Sequence, residues 1–86
     1  MNLDFERHFK KQYKKLPEKI QNHFDERLVL FLGHPNHPLL RIHELKGDMS
    51  PLQSMNITGD YRALFTIDAK TKQIVFYKIG THSELY

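Results

Sequence analysis

The apolar residues of this chain change their repeat once, near Pro38. Before it, Phe5, Phe9, Tyr13 and Leu16 recur at intervals of four, four and three, and Ile20, Phe24, Leu28 and Phe31 continue at helical spacing. Residues so spaced form one stripe along an amphipathic helix. Pro17 fits the first turn of a second helix, where a missing N–H costs nothing. Gly33, with Pro35 and Pro38 behind it, ends that helix. After Pro38 the segments 39–45, 52–58, 61–68 and 73–79 read as strands, divided by Lys46-Gly47-Asp48, Gly59-Asp60 and Ala69-Lys70-Thr71-Lys72. Short polar connections make the last three an antiparallel meander. Helices in one half and strands in the other predict an α+β fold: two N-terminal helices packed on one face of a four-stranded, mainly antiparallel sheet.

A chain of 86 residues reads as one domain, 1–86. It buries roughly 60–65% of its unfolded surface. An enclosed cofactor cavity is not expected in so small a globule, so any site is a surface cleft and no cofactor is implied. There is no cysteine, which removes disulfides and thiolate chemistry and suits a reducing cytoplasm. The stretch Met1-Asn2-Leu3-Asp4-Phe5-Glu6-Arg7 carries acids and lacks the apolar core of a signal peptide. The longest apolar run, 28–32, is too short for a bilayer, and no membrane association is expected.

The formal charge of +3 is unevenly placed. Residues 1–23 hold six basic side chains (Arg7, Lys10, Lys11, Lys14, Lys15, Lys19) against three acids, whereas residues 24–86 hold seven of each sign. Such an asymmetry serves polyanion binding, an acidic protein partner, or simply a solvated helix face.

The chemistry-bearing residues gather near strand ends. His43 lies in the first strand, with Arg41 on its side by alternation. Asn56, Asp60 and Arg62 flank the following turn. The segment Gly80-Thr81-His82-Ser83-Glu84-Leu85-Tyr86 follows an apolar run. Frayed tails are usually polar, so one carrying Leu and Tyr is expected to dock, and a helical turn there sets His82 and Tyr86 on one face. Cleavage of RNA without a metal needs a base for the 2′-OH, a cation at the phosphorus and an acid for the 5′-oxygen. Histidine suits the first and last roles, and arginine the second. Tyrosine stacks on a splayed base. The His34-x2-His37 pair offers no thiolate and lies in a Pro-rich loop, so no metal site is expected. Neither a G-x-S-x-G elbow nor a glycine-rich phosphate loop occurs.

Three segments in order, His43-Glu44-Leu45-Lys46-Gly47, then Asn56-Ile57-Thr58-Gly59-Asp60-Tyr61-Arg62, then Ile79-Gly80-Thr81-His82-Ser83-Glu84-Leu85-Tyr86, resemble the RelE/ParE toxin superfamily, and most of all its YafQ-like branch. The resemblance spans nearly the whole chain. It implies a RelE-like, microbial-ribonuclease-like fold ending in a short helical turn. The implied activity is that of a type II toxin, a ribosome-dependent mRNA endonuclease that needs no metal. His43, Asp60, His82 and Arg62 match the catalytic positions. Tyr86, Asn56, Tyr61, Arg41 and Lys46 are the implied substrate contacts. The implied partners are a cognate antitoxin, the ribosome and mRNA, with operator DNA reached only through the antitoxin, all in the cytoplasm. The departure is Asn56, where the branch carries a histidine. Asparagine cannot transfer a proton, so either Asn56 only hydrogen-bonds a phosphate, or such a toxin is slower, or its base is His43 or Asp60. Two other readings share the fold: a ParE-like toxin that inhibits DNA gyrase without chemistry, and a decayed toxin retained as an antitoxin-binding co-repressor.

Overall fold

The computed structural model describes residues 2–86; Met1, within the expected domain span, lies outside them. Strand β1 (Leu3–Phe5) leads into helix α1 (Arg7–Lys15) and helix α2 (Glu18–Gly33). Strands β2 (His43–Glu44), β3 (Gln53–Thr58), β4 (Tyr61–Ile67) and β5 (Ile74–Thr81) follow, then helix α3 (His82–Leu85). The sheet order is β1-β5-β4-β3-β2. β5, β4, β3 and β2 pair antiparallel, and β1 adds in parallel to β5. The expected α+β architecture, with two helices on one sheet face and a closing helical turn, is the one observed.

Two boundaries differ from the sequence expectation. The sheet has five strands rather than four, because Phe5, expected to open the stripe of the first helix, belongs instead to Leu3–Phe5, which pairs with Ile74–Phe76. Glu6 then caps α1, its carboxylate accepting from the N–H of His8 at 2.8 Å. The stripe survives the boundary, since the Phe5 and Phe9 rings still stack 5.3 Å apart. The expected strand 39–45 shrinks to His43–Glu44. Pro38–Leu40 instead forms a 3₁₀ turn, capped by the Nδ1 of His37, which accepts from the N–H of Leu39. Leu40 is pinned in the core, and Arg41 turns the chain with a left-handed φ of 45°. Arg41 is therefore not on a strand beside His43, as alternation had implied.

Leu16 is extended, as a residue before proline must be, so α1 stops at Lys15 and α2 begins directly after Pro17. All six phenylalanines of the chain meet between helices and sheet. Phe76 lies within 5.7 Å of the rings of Phe5, Phe9, Phe24 and Phe65. Phe31 closes the cluster against Phe65 at 5.1 Å. Each buried ring contributes roughly 1.5–3 kcal/mol of transfer free energy, and this cluster is what fixes the sheet's inner face. Met55, Ile57, Ala63, Ile74 and Ile79 complete it. The other face carries neither α1 nor α2.

Candidate active site

Cross-strand partners share a face, so the register identifies what stands on the sheet's open side. Asn56 is paired with Arg62, and Arg62 with Gly80. One row away, His43 is paired with Ser54, Ser54 with Leu64, and Leu64 with Lys78. These positions alternate with the core residues Met55, Ala63 and Ile79. His43 is diagonal to Asn56, about 7–8 Å away between backbones, and Asn56 faces Arg62 directly. Three of the expected site residues thus lie side by side on the open face.

Each has a local partner. The Nδ1 of His43 is 3.1 Å from the carbonyl of Arg41. A carbonyl has no proton to give, so Nδ1 donates, and in the neutral ring Nε2 carries the lone pair. Arg62 donates from Nη1 to the carbonyls of Gly59 and Tyr61, at 2.9 and 3.0 Å. It is thereby held to the β3–β4 turn rather than to Asp60 or Asp68. That turn bends at Gly59, whose φ of +51° disfavours other residues.

The end of the chain is pinned to the same turn: the N–H of His82 donates to the carbonyl of Asp60 at 2.9 Å. α3 starts with a capping box. Thr81 Oγ1 accepts from the N–H of Glu84, and Glu84 Oε1 accepts from the N–H of Thr81 at 2.7 Å. That bond holds the Glu84 carboxyl below its usual range. Gly80 leaves room for it, because a Cβ there would stand 3.1 Å from Glu84 Oε1. Leu85 is buried and anchors the turn. The rings of His82 and Tyr86 then meet one helical turn apart, 4.5 Å between centroids. Both are exposed.

Other expected residues fall elsewhere. Tyr61 alternates with Arg62 and packs against the core on the helix side, lining a cleft with Gln12, Lys15 and Leu16. Arg41 and Lys46 are exposed on the loops either side of β2. Asp60 is exposed at the turn, in contact with His82 through its backbone. Sequence reasoning missed two positions on the open face, Ser54 and Lys78. Lys78 had a signal, a lone charge inside an apolar run. Ser54 is 1% exposed, and its hydroxyl has no hydrogen-bond partner.

A second feature lies on the opposite side. An apolar cleft of about 370 Å³ opens between α1 and α2, lined by Phe9, Tyr13, Phe24 and Leu28 with Lys10 and Lys14 beside them. The Tyr13 hydroxyl, partly buried there and donating to Asp25 at 2.8 Å, is pushed up to about 12. No helix of the described residues is long and apolar enough to cross a membrane.

No family model and no curated protein matches the chain. Solved structures do. YafQ from E. coli superposes with a TM-score of 0.83 at 16% identity, over 99% of this chain and 97% of that one. A YoeB/ParE toxin from Agrobacterium tumefaciens gives 0.79 at 18% identity, over 95% and 99%. The archaeal RelE–RelB complex from Pyrococcus horikoshii gives 0.75 at 20% identity, over 93% and 92%. Likeness of this extent over nearly the whole of each chain shows that the protein shares the fold of YafQ, the YoeB/ParE toxin and RelE.

Proposed function

We propose that this protein is the toxin of a type II toxin–antitoxin pair, acting as a metal-independent endoribonuclease on mRNA at the ribosome. The observation that carries this reading is the contiguous set His43, Asn56 and Arg62 on the open sheet face, with the His82–Tyr86 pair tied to the same turn through Asp60.

The chemistry follows from the groups. His43 Nε2, left with its lone pair by the Nδ1 bond to Arg41, takes the proton of a ribose 2′-OH. The 2′-oxygen attacks the adjacent phosphorus. Arg62, which spends only Nη1 on the turn, offers its remaining N–H groups to the phosphorane-like oxygens, and Asn56 opposite adds an amide donor. His82 protonates the departing 5′-oxygen. The products are a 2′,3′-cyclic phosphate and a 5′-hydroxyl. Tyr86 stacks on the base beside the scissile bond. Asp60 acts as the backbone anchor of His82.

The partner is an antitoxin whose acidic, amphipathic segment orders on contact. The apolar α1–α2 cleft supports this, since Lys10 and Lys14 beside it complement acidic side chains. On this reading the protein acts in the cytoplasm, where ribosomes translate.

Primer extension on cellular mRNA after induced expression tests the reading. Wild type is expected to leave cuts within reading frames, and His82→Ala at least tenfold fewer, since acid–base groups contribute roughly 10²–10⁴. Equal growth arrest by both proteins with intact mRNA overturns it; DNA breaks in those cells point to gyrase instead.

A further inference from the structure

His43 keeps its Nε2 lone pair free because the carbonyl of Arg41 meets its Nδ1, and that carbonyl belongs to a residue in an uncommon conformation. Arg41 stands at φ 45° and ψ 44°, the left-handed region. A residue with a Cβ stays there only where its surroundings hold it.

What holds Arg41 lies just upstream. The N–H of Leu40 donates to the carbonyl of His37 at 3.1 Å, and the N–H of Arg41 to the carbonyl of Pro38 at 3.2 Å, closing the 3₁₀ turn Pro38–Leu40. Leu40 pins one side of this turn, 0% exposed among the core residues. Leu39 gives no such anchor, being 52% exposed. Pro38 has no N–H, so Leu39 offers the first donor of the turn, and the His37 ring takes it up through Nδ1 at 3.1 Å. Two imidazoles therefore bracket the segment in opposite roles: Nδ1 of His37 accepts, and Nδ1 of His43 donates. Without the cap, Arg41 is free to leave the left-handed region, and its carbonyl swings away as ψ changes. His43 then loses the bond that decides which of its nitrogens carries the proton.

We infer that His37 is a positioning residue for cleavage: by capping the 3₁₀ turn it holds Arg41 left-handed and so places the carbonyl that keeps His43 in the tautomer a base requires. This rests on the endonuclease reading above, with His43 as base. His37 acts only through Arg41 and His43, touching no reacting atom.

The test reads the His43 tautomer by nitrogen-15 NMR of the full chain with labelled histidine, beside cleavage of mRNA on programmed ribosomes. The chain has six histidines, and the signals lost in His43→Gln assign the ring. Wild type is expected to carry the His43 proton on Nδ1. His37→Ala is expected to move it toward Nε2 and to lower kcat about tenfold with KM within about twofold, a partial loss of what a positioned base supplies. His37→Asn restores the cap and should return tautomer and kcat to within about threefold of wild type. Should His37→Ala fail to fold, His37→Asp and His37→Gln decide, because aspartate caps and glutamine does not; only the first should keep the Nδ1 proton. A His43 tautomer and kcat unchanged in His37→Ala, or unchanged between Asp and Gln at 37, overturn the positioning role and leave the endonuclease standing. A wild type that shows the Nδ1 proton, loses it in His37→Ala and yet cuts no RNA overturns the endonuclease reading, and the role in cleavage with it.

Discussion

The imidazole of His82 and the phenol ring of Tyr86 lie 4.5 Å apart between centroids, tilted by 51°. Leu85 between them is buried, whereas Tyr86 is 46% exposed. Anchoring and ring presentation therefore belong to different residues of one short helix. Leu85→Ala should lower stability by about 2–3 kcal/mol, as other buried leucine truncations do. Tyr86→Ala should leave the unfolding midpoint nearly unchanged and weaken the RNA complex by about 1–3 kcal/mol, roughly 5- to 150-fold in KM. Tyr86→Phe keeps the ring and should stay within about threefold of wild type. A Tyr86→Ala protein that unfolds early but cuts normally contradicts this division.

Asn56 faces Arg62 across β3 and β4. Its amide donates but cannot exchange a proton. Asn56→His places a titrating group there, diagonal to His43. Single-turnover cleavage should rise about tenfold at neutral pH, the lower end of what a positioned base supplies. No gain, with the fold intact, assigns the base role to His43 alone.

The helix pair, the meander and the docked end of the chain were legible in the sequence, because each has a local signature: a 3.6-residue stripe, polar turns, and Leu and Tyr in a segment expected to be polar. Arg62 and Asn56 were legible as residues, but their pairing across two strands was not. The edge strand Leu3–Phe5 was hidden, because Phe5 continues the helical stripe while its backbone pairs with β5. The short β2 was overread, because Leu39 and Leu40 look like strand residues until Leu40 is seen to anchor a 3₁₀ turn. Lys78 was missed because its face follows from a β-bulge in the β4–β5 register, which is a property of pairing, not of one strand's sequence. Tyr61 was read as a substrate contact beside Arg62, and alternation puts it on the other face.

Phe76 touches five of the molecule's aromatic rings, from Phe5 on the edge strand to Phe31 on α2. Phe76→Ala should cost about 3–5 kcal/mol, a large part of the stability of so small a domain. Denaturant melts of Phe76→Leu and Phe76→Ala should rank in that order. Equal midpoints mean that the cluster does not act as one core.

Ser54 carries a buried hydroxyl with no partner. Leaving such a group unsatisfied costs about 1–3 kcal/mol, whereas removing it leaves a void smaller than a methyl group. Ser54→Ala should therefore be neutral or up to about 1 kcal/mol more stable by urea melt. A loss above about 1 kcal/mol shows that the hydroxyl is bonded in solution.

The Glu84 carboxylate makes the fold's terminal turn pH-sensitive. It accepts the N–H of Thr81, which lowers its pKa from the usual 4.5. A depressed pKa means that the folded turn binds the proton more weakly than the unfolded one. The stabilisation is complete above about 4.5 and is lost as pH falls through the folded value. α3 should loosen on that descent and release the His82–Tyr86 contact, read as a nuclear Overhauser effect between the rings. Asp68, likewise lowered by the backbone N–H groups of Thr71 and Lys70, holds the β4–β5 turn instead. The two are separable: Glu84→Gln should weaken the ring contact already at neutral pH and remove its acid dependence, while acid unfolding of the sheet persists. A ring contact unchanged in Glu84→Gln means that Leu85 alone holds the turn.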